Sequence, residues 1–272
     1  MGDFIRDTAV RRGPDGALQA ALSEDWAIWG PNGGYIASIA LRAAGIEAPA
    51  GHRPASFSCQ YLSAAAFDEI DITVEPLRRG RSAWCLNVAL NQGGKLFLQA
   101  QVWTTDRAVG PDRSDAQPPA VPDHAALKDF RELDPDRPIH KFWSHFDSKP
   151  VHYLADGVVN PRGAIAEGWY RLRGFESDGD PFVDGARALL LLDTLPWPTF
   201  WRAEPEPPKY IAPSLDLTAW FHAPAFESDW LLIETCADTA AGGLIHGHSR
   251  IWTADGRRFA SGGSQLLVVD RG

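Results

Sequence analysis

Alternating apolar and polar residues predict long antiparallel strands in both halves of the chain. Most of these segments are bounded by Pro, Gly or an Asp-Gly pair, which are typical of strand ends and tight turns. In the first half the predicted strands are Ala55–Leu62, Glu69–Arg78, Ser82–Gln92 and Lys95–Thr105. In the second half they are Ala166–Leu172, Ser214–His222, Trp230–Ala237, Gly243–Thr253 and Arg258–Val269.

A helix is also predicted in each half. Asn32 can cap a helix that begins at Gly33, carries apolar residues at helical spacing and stops at Gly45. Asp184 can cap a second helix, which must end before Pro196 because proline cannot continue it. Residues 185–192 of this second helix are apolar on nearly every side, which is typical of a buried helix.

The two halves resemble each other weakly, which indicates an internal repeat. The strand that begins at Pro54 corresponds to the one that begins at Pro213, and the turn at Gly94 corresponds to the turn at Gly256. We therefore predict an α+β protein with two repeats, residues 1–105 and residues 151–272.

Residues 106–150 differ in composition from both repeats, since they contain seven prolines and many charges. We interpret this segment as a linker with one short helix near residues 125–131. A second Pro-rich segment, from Arg202 to Pro213, is interpreted as a surface loop.

Composition narrows the class of protein. The chain has 272 residues, of which 44% are hydrophobic and 22% charged, as in ordinary globular proteins. Its net charge of −9 argues against nucleic-acid binding. No apolar run approaches the roughly 20 residues of a membrane-spanning helix, and the charged first residues do not resemble a signal peptide. The three cysteines form no CxxC pair, so we expect reduced thiols and a cytoplasmic location.

Several segments, in order along the chain, resemble the acyl-CoA thioesterase II family and its thioesterase-like relatives. The first repeat contributes WGPNGGY at residues 29–35 and the strand after Arg53. The second repeat contributes LDTLP at 192–196, SLDLTAWFH at 214–222 and DGRRFAS at 255–261. The resemblance implies a double hotdog fold, in which a long antiparallel sheet wraps a central helix in each repeat. It also implies hydrolysis of an acyl-CoA to the free acid and coenzyme A.

Asp193 is the candidate general base. It follows the apolar helix, where both the helix dipole and burial disfavour a negative charge and so raise the pKa of its carboxyl. An alternative interpretation is that Asp193 only caps the turn before Pro196. In the family that the chain resembles, an aspartate at this place activates the water that attacks the thioester.

The resemblance implies that Ser214 and Gln265 hold the same water. Period-two alternation places Ser214, Asp216 and Thr218 on one face of their strand, which makes Asp216 a rival acid. Counted from Asp255-Gly256, Gln265 lies one residue later than the position that the family spacing implies, and Ser264 occupies that position. We prefer Gln265, and expect a β-bulge at Gly262-Gly263 to turn its side chain toward the site.

Substrate-binding groups are expected at two places. The glycines at Gly33 and Gly34, followed by Tyr35, begin a helix, where free backbone N–H groups can bind the oxyanion. Arg78, Arg79 and Arg81 form a basic cluster that can meet the phosphates of coenzyme A, although a solvated turn is the alternative.

The sequence thus predicts an acyl-CoA thioesterase with Asp193, Ser214 and Gln265 in its site. The histidines show no ligand spacing, so we predict no metal, and no cofactor is required. We expect a homodimer or a larger homo-oligomer. Two alternatives stay open, a non-catalytic acyl-CoA-binding protein and a hotdog enoyl-CoA hydratase, which would need a histidine shortly after Asp193.

Overall fold

Strands from both halves join in one antiparallel sheet, with a long buried helix from each half packed against it. The structure is a computed structural model that describes residues 2–206 and 208–270. The helices are α1 (Phe4–Asp7), α2 (Gly33–Glu47), α3 (Phe130–Leu133), α4 (Pro181–Thr194) and α5 (Pro196–Trp201). No helix in this part of the chain is long and apolar enough to cross a membrane.

The strands of the N-terminal half are β1 (Arg11–Arg12), β2 (Leu18–Ala21), β3 (Arg53–Tyr61), β4 (Glu69–Arg79), β5 (Ala83–Gln92) and β6 (Lys95–Thr105). The later strands are β7 (Phe146–Pro150), β8 (Ile165–Leu172), β9 (Tyr210–Ile211), β10 (Asp216–Phe221), β11 (Trp230–Ala241), β12 (Leu244–Thr253), β13 (Arg258–Leu267) and β14 (Val269–Asp270). Twelve of them form one sheet in the order β1-β2-β4-β5-β6-β3-β10-β13-β12-β11-β8-β7, and β9 pairs with β14. The two halves therefore meet where β3 pairs with β10.

All nine predicted strands are present, with ends that differ by up to four residues. One difference affects a predicted functional residue: β10 begins at Asp216 rather than at Ser214, because Ser214 makes only an isolated bridge to Leu266. The segment 106–150 contains α3 and a short 3-10 turn at His124–Ala126, close to the predicted helix. Its last residues form β7, which pairs with β8.

The first long helix begins as predicted. The Asn32 side chain accepts a hydrogen bond from the Tyr35 N–H at 2.9 Å, so it caps the first turn of α2. The helix continues to Glu47 rather than stopping at Gly45. Gly45 serves packing instead, because a Cβ there would lie 2.6 Å from the Phe182 ring.

The predicted start of the second helix is wrong by four residues. Asp180 caps α4 by accepting from the Phe182 N–H, and Pro181 occupies the first turn, where its missing N–H costs nothing. Asp184 lies inside the helix and is buried. It pairs with Arg187 at 2.7 Å and accepts from the Ala225 N–H, which ties α4 to the loop before β11.

The two long helices cross closely and run antiparallel. The Ser38 hydroxyl of α2 donates to the Ala186 carbonyl of α4 at 2.8 Å. Nearer the start of α2, a Cβ on Gly34 would lie 2.5 Å from the Leu189 carbonyl oxygen. The first turn of α2 consequently meets the last turn of α4, and this contact positions the site described below.

Gly34→Ala should destabilise the fold by about 1–3 kcal/mol, because the added methyl meets backbone atoms that cannot rotate away. Urea unfolding of the variant and the wild type measures this difference. Gly30→Ala is the matched control, since a Cβ at Gly30 meets no atom within 4 Å, and its effect should stay within about 0.5 kcal/mol. Equal unfolding midpoints for Gly34→Ala and the wild type would contradict the close helix crossing.

Candidate active site

A cavity of about 990 Å³ opens where the first turn of α2 meets the end of α4. The residues that line it lie just before and at the start of α2, after β3, between α3 and β8, and between the end of α4 and the start of β10, together with Leu266 and Leu267. Aromatic side chains form much of this surface, among them Trp143, Tyr170 and Trp197. Such an apolar cavity with a few polar groups is typical of a small-molecule site.

Asp193 lies in the wall of this cavity and is 7% exposed. Its Oδ2 accepts a hydrogen bond from the Gly34 N–H at 2.8 Å. Its Oδ1 is buried and has no hydrogen-bond partner in the part of the chain that the structure describes. One carboxylate oxygen is therefore fixed by the helix, and the other is left for a further donor.

Burial raises the pKa of Asp193 from its ordinary value of 3.8 to about 6. The Ser214 hydroxyl, the Gly34 N–H and the Tyr61 hydroxyl act in the opposite direction, because each favours the charged carboxylate. Of these three, only the Gly34 N–H completes a hydrogen bond of normal geometry. The predicted rise is present, but the N-terminus of α2 opposes it, a contribution that the sequence analysis did not include.

Ser214 lines the cavity beside Asp193. The prediction that Ser214 and Asp216 share a face is wrong. An irregularity before β10 pairs Ser214 with the buried Leu266, whereas the register of β10 pairs Asp216 with Gln60, an exposed residue. Asp216 accepts from the Gln265 N–H at 2.7 Å, outside the cavity, and is no rival to Asp193.

Gln265 does not join Asp193 in this structure. The expected bulge at Gly262-Gly263 is absent, since β13 stays in register with both β10 and β12 through these residues. Ser264 is consequently buried, and Gln265 lies on the opposite face of the strand, opposite His246 of β12. Gln265 is not among the described residues that line the cavity.

The glycines at the start of α2 have two different tasks. A Cβ on Gly33 would lie 2.8 Å from Asp193 Oδ2, so only glycine lets the carboxylate approach. The Gly34 N–H, one of the helix-start groups expected to bind the substrate oxygen, donates to Asp193 instead. Tyr35 is fully buried away from the cavity, where its hydroxyl donates to the Asp7 carbonyl at 2.7 Å.

The predicted basic cluster lies elsewhere. Arg78 stacks on Trp103 and Arg79 on Trp84, and neither these arginines nor Arg81 belong to the described cavity wall. Four other arginines line the cavity, and sequence reasoning missed them: Arg131, Arg137, Arg162 and Arg202. Arg131 and Arg137 come from the segment interpreted as a linker, and Arg202 begins the segment interpreted as a surface loop. Only the tertiary fold brings them to the cavity.

The described residues contain no group of three or more His, Cys, Asp or Glu side chains placed to hold a metal ion.

Comparison with known proteins gives two consecutive family matches. Residues 22–105 match the model described as the acyl-CoA thioesterase N-terminal domain, and residues 111–269 match the acyl-CoA thioesterase C-terminal domain. Acyl-coenzyme A thioesterase 8 of Mus musculus is 29% identical over 249 residues, which are 82% of this chain and 75% of the mouse protein.

Solved structures of the same fold cover the whole chain. A conserved protein of unknown function with a hot dog fold from Alicyclobacillus acidocaldarius superposes with a TM-score of 0.85 at 18% identity, over 100% of both chains. The acyl-CoA thioesterase II TesB2 of Mycobacterium marinum gives 0.79 at 20% identity, over 99% of both chains. These similarities confirm the predicted α+β double hotdog fold.

The free energy of unfolding should depend on pH through Asp193. The pKa of Asp193 is higher in the folded protein than in the unfolded chain. Its contribution to stability is therefore greatest below pH 3.8 and is lost as the pH rises through about 6. Asp193→Asn removes this loss while keeping an oxygen for the Gly34 N–H. The variant should therefore be more stable than the wild type at pH 8, by up to about 3 kcal/mol at 1.4 kcal/mol per pKa unit.

The gap between Asp193→Asn and the wild type should shrink as the pH falls from 8 to 4. Urea unfolding of both proteins at several pH values measures this gap in the free energy of unfolding. Because both proteins contain all the other carboxyls, the effects of their titration cancel in the comparison. A gap that is independent of pH, or that widens toward pH 4, would contradict a raised pKa for Asp193.

Proposed function

The chain belongs to the acyl-CoA thioesterase family, and from this premise we propose that Asp193 is the general base that activates water for hydrolysis of an acyl-CoA. The observation that supports this role most directly is the carboxyl itself. It is buried in a cavity wall and held by one hydrogen bond from a helix N-terminus, and its other oxygen has no partner among the described residues. Such an oxygen can take a proton from a water molecule bound in the cavity.

The proposed reaction needs no covalent intermediate. Asp193 Oδ1 accepts a proton from the water while the water oxygen attacks the thioester carbonyl carbon. The carbon–sulfur bond then breaks, and the protonated Asp193 returns the proton to the departing thiolate of coenzyme A. With a pKa of about 6, Asp193 is mostly charged at neutral pH, yet is a stronger base than an exposed aspartate.

The carbonyl oxygen becomes negatively charged during the attack and needs a donor. We assign this role to the first turn of α2, but not to the Gly34 N–H, which Asp193 already occupies. The preceding N–H, that of Gly33, forms no hydrogen bond within residues 2–206 and 208–270, and Gly33 lines the cavity. The proposed oxyanion donor is therefore the Gly33 N–H, one of the helix-start groups that the sequence analysis named.

The cavity suits the two chemically different ends of an acyl-CoA. Trp143, Tyr170 and Trp197 supply an apolar surface for the acyl chain. Arg131 supplies positive charge for the phosphates of the nucleotide end, in place of the Arg78 cluster, whereas Arg137 is paired with Asp134 and Asp156.

We also propose a cytoplasmic location and a homo-oligomeric state. The three cysteines are free thiols, which supports a reducing, cytoplasmic environment. A homodimer or larger homo-oligomer is proposed because the sheet ends in β1 and β7, whose outer edges can pair with another chain.

Asp193→Asn should lower kcat by about 10²- to 10⁴-fold, because the amide cannot accept the proton of the attacking water. Release of free thiol from acyl-CoAs of several chain lengths measures the rate. In the wild type, kcat/KM should fall as the pH drops below about 6, where Asp193 becomes protonated. This acid limb should disappear from any residual activity of the variant.

Asp216→Asn is the matched control, because Asp216 is the neighbouring acid that lies outside the cavity. Its rate should stay within about twofold of the wild type. Acyl-CoA that stabilises the protein against heat but is never cleaved would indicate a binding protein instead. Hydrolysis by Asp193→Asn at the wild-type rate would contradict the role of Asp193.

A further inference from the structure

Tyr61, the last residue of β3, places a polar group in the cavity wall that the family resemblance does not assign. Its ring lines the cavity, and its hydroxyl oxygen is buried with no hydrogen-bond partner among the residues that the structure describes. The backbone is fixed, because the Tyr61 N–H donates to the Leu215 carbonyl at 2.9 Å, next to Ser214. A buried hydroxyl without a partner costs about 1–3 kcal/mol, so its retention calls for an explanation.

The unpaired hydroxyl faces a complementary unpaired group. Asp193 Oδ1 is an acceptor with no partner among the described residues. The Tyr61 hydroxyl is a donor that likewise has no partner among them. The two groups are close enough for each to shift the pKa of the other, yet no hydrogen bond of normal geometry joins them. A small molecule that both donates and accepts can satisfy both groups at once.

The family resemblance also implies that a third side chain binds the attacking water. The residue that it implies, Gln265, lies on the face of β13 opposite that of the buried Ser264 and is not among the described residues that line the cavity. The geometry points to Tyr61 in that place: we propose that the Tyr61 hydroxyl donates a hydrogen bond to the water that Asp193 deprotonates. This inference rests on the proposed role of Asp193.

The hydrogen bonds of the water balance. It donates one proton to Asp193 Oδ1 and the other to Ser214, accepts one hydrogen bond from Tyr61, and keeps one lone pair for attack on the carbonyl carbon. Tyr61 keeps its own proton throughout. Burial and the charge of Asp193 hold the pKa of the Tyr61 phenol well above its ordinary value of 10.0. Cys59, the other titratable group that faces Tyr61, is buried in the same strand, and burial likewise raises the pKa of its thiol.

Tyr61→Phe removes the hydroxyl and keeps the ring. We expect kcat to fall roughly 10-fold with KM little changed, as for loss of one hydrogen bond to the reacting water. The acid limb of kcat/KM should move to higher pH, because the Tyr61 hydroxyl lowers the pKa of Asp193 and the variant lacks it. A side chain that served only packing would leave this limb in place.

Tyr210→Phe is the control, since Tyr210 lies in β9 outside the described cavity wall and should keep the wild-type rate and pH profile. Thermal unfolding of Tyr61→Phe should show no loss of stability, because the variant removes a buried hydroxyl without a partner.

The double variant Asp193→Asn/Tyr61→Phe separates the two proposals. If both side chains act on one water, it should be no slower than Asp193→Asn alone. A Tyr61→Phe enzyme with wild-type kcat and an unmoved acid limb, beside an inactive Asp193→Asn, would overturn the role of Tyr61 alone. Full activity of Asp193→Asn would overturn the proposed function as well.

Discussion

The contact between Asp193 and the first turn of α2 joins the two repeats and organises the site. The Gly34 N–H and the Asp193 carboxylate come from different halves of the chain and meet only because α2 and α4 cross closely. That crossing needs glycine at two successive positions, Gly33 against the carboxylate and Gly34 against the backbone of α4. The same glycines thus allow the helix packing and expose the helix N-terminus to the cavity.

This contact also sets the electrostatics of the site. Burial disfavours the charge on Asp193, and the N-terminus of α2 offsets only part of that cost. The carboxyl is left with a pKa of about 6. Within residues 2–206 and 208–270, one of its oxygens and the nearby Tyr61 hydroxyl have no hydrogen-bond partner. Buried polar groups that lower the stability of the fold are the ones proposed to bind the reacting water, a trade between stability and activity that is common in enzymes.

Sequence periodicity predicted the strands and α2 well, because alternation and the Asn32 cap are local signals. The start of α4 was misplaced because two aspartates, Asp180 and Asp184, precede the apolar stretch. Pro181 after Asp180 was the local signal that could have decided between them.

Errors within the site come from pairing between distant strands. The irregularity at Ser214 and the regular register at Gln265 are set by contacts between β10, β12 and β13, which no single segment encodes. Tyr61 shares the buried face of β3 with Phe57 and Cys59, but the sequence does not show that this strand ends beside Asp193. Arg131 and Arg137 were missed because the Pro-rich segment that contains them was interpreted as a linker, whereas it forms part of the cavity wall.

Carbon-13 NMR of aspartate carboxyls, recorded against pH for the wild type and for Asp193→Asn, tests the central claim most directly. One carboxyl resonance, absent from the variant, should titrate near pH 6, and its midpoint should coincide with the acid limb of kcat/KM. A resonance for Asp193 that titrates near its ordinary value of 3.8, with no counterpart in the rate profile, would contradict the account.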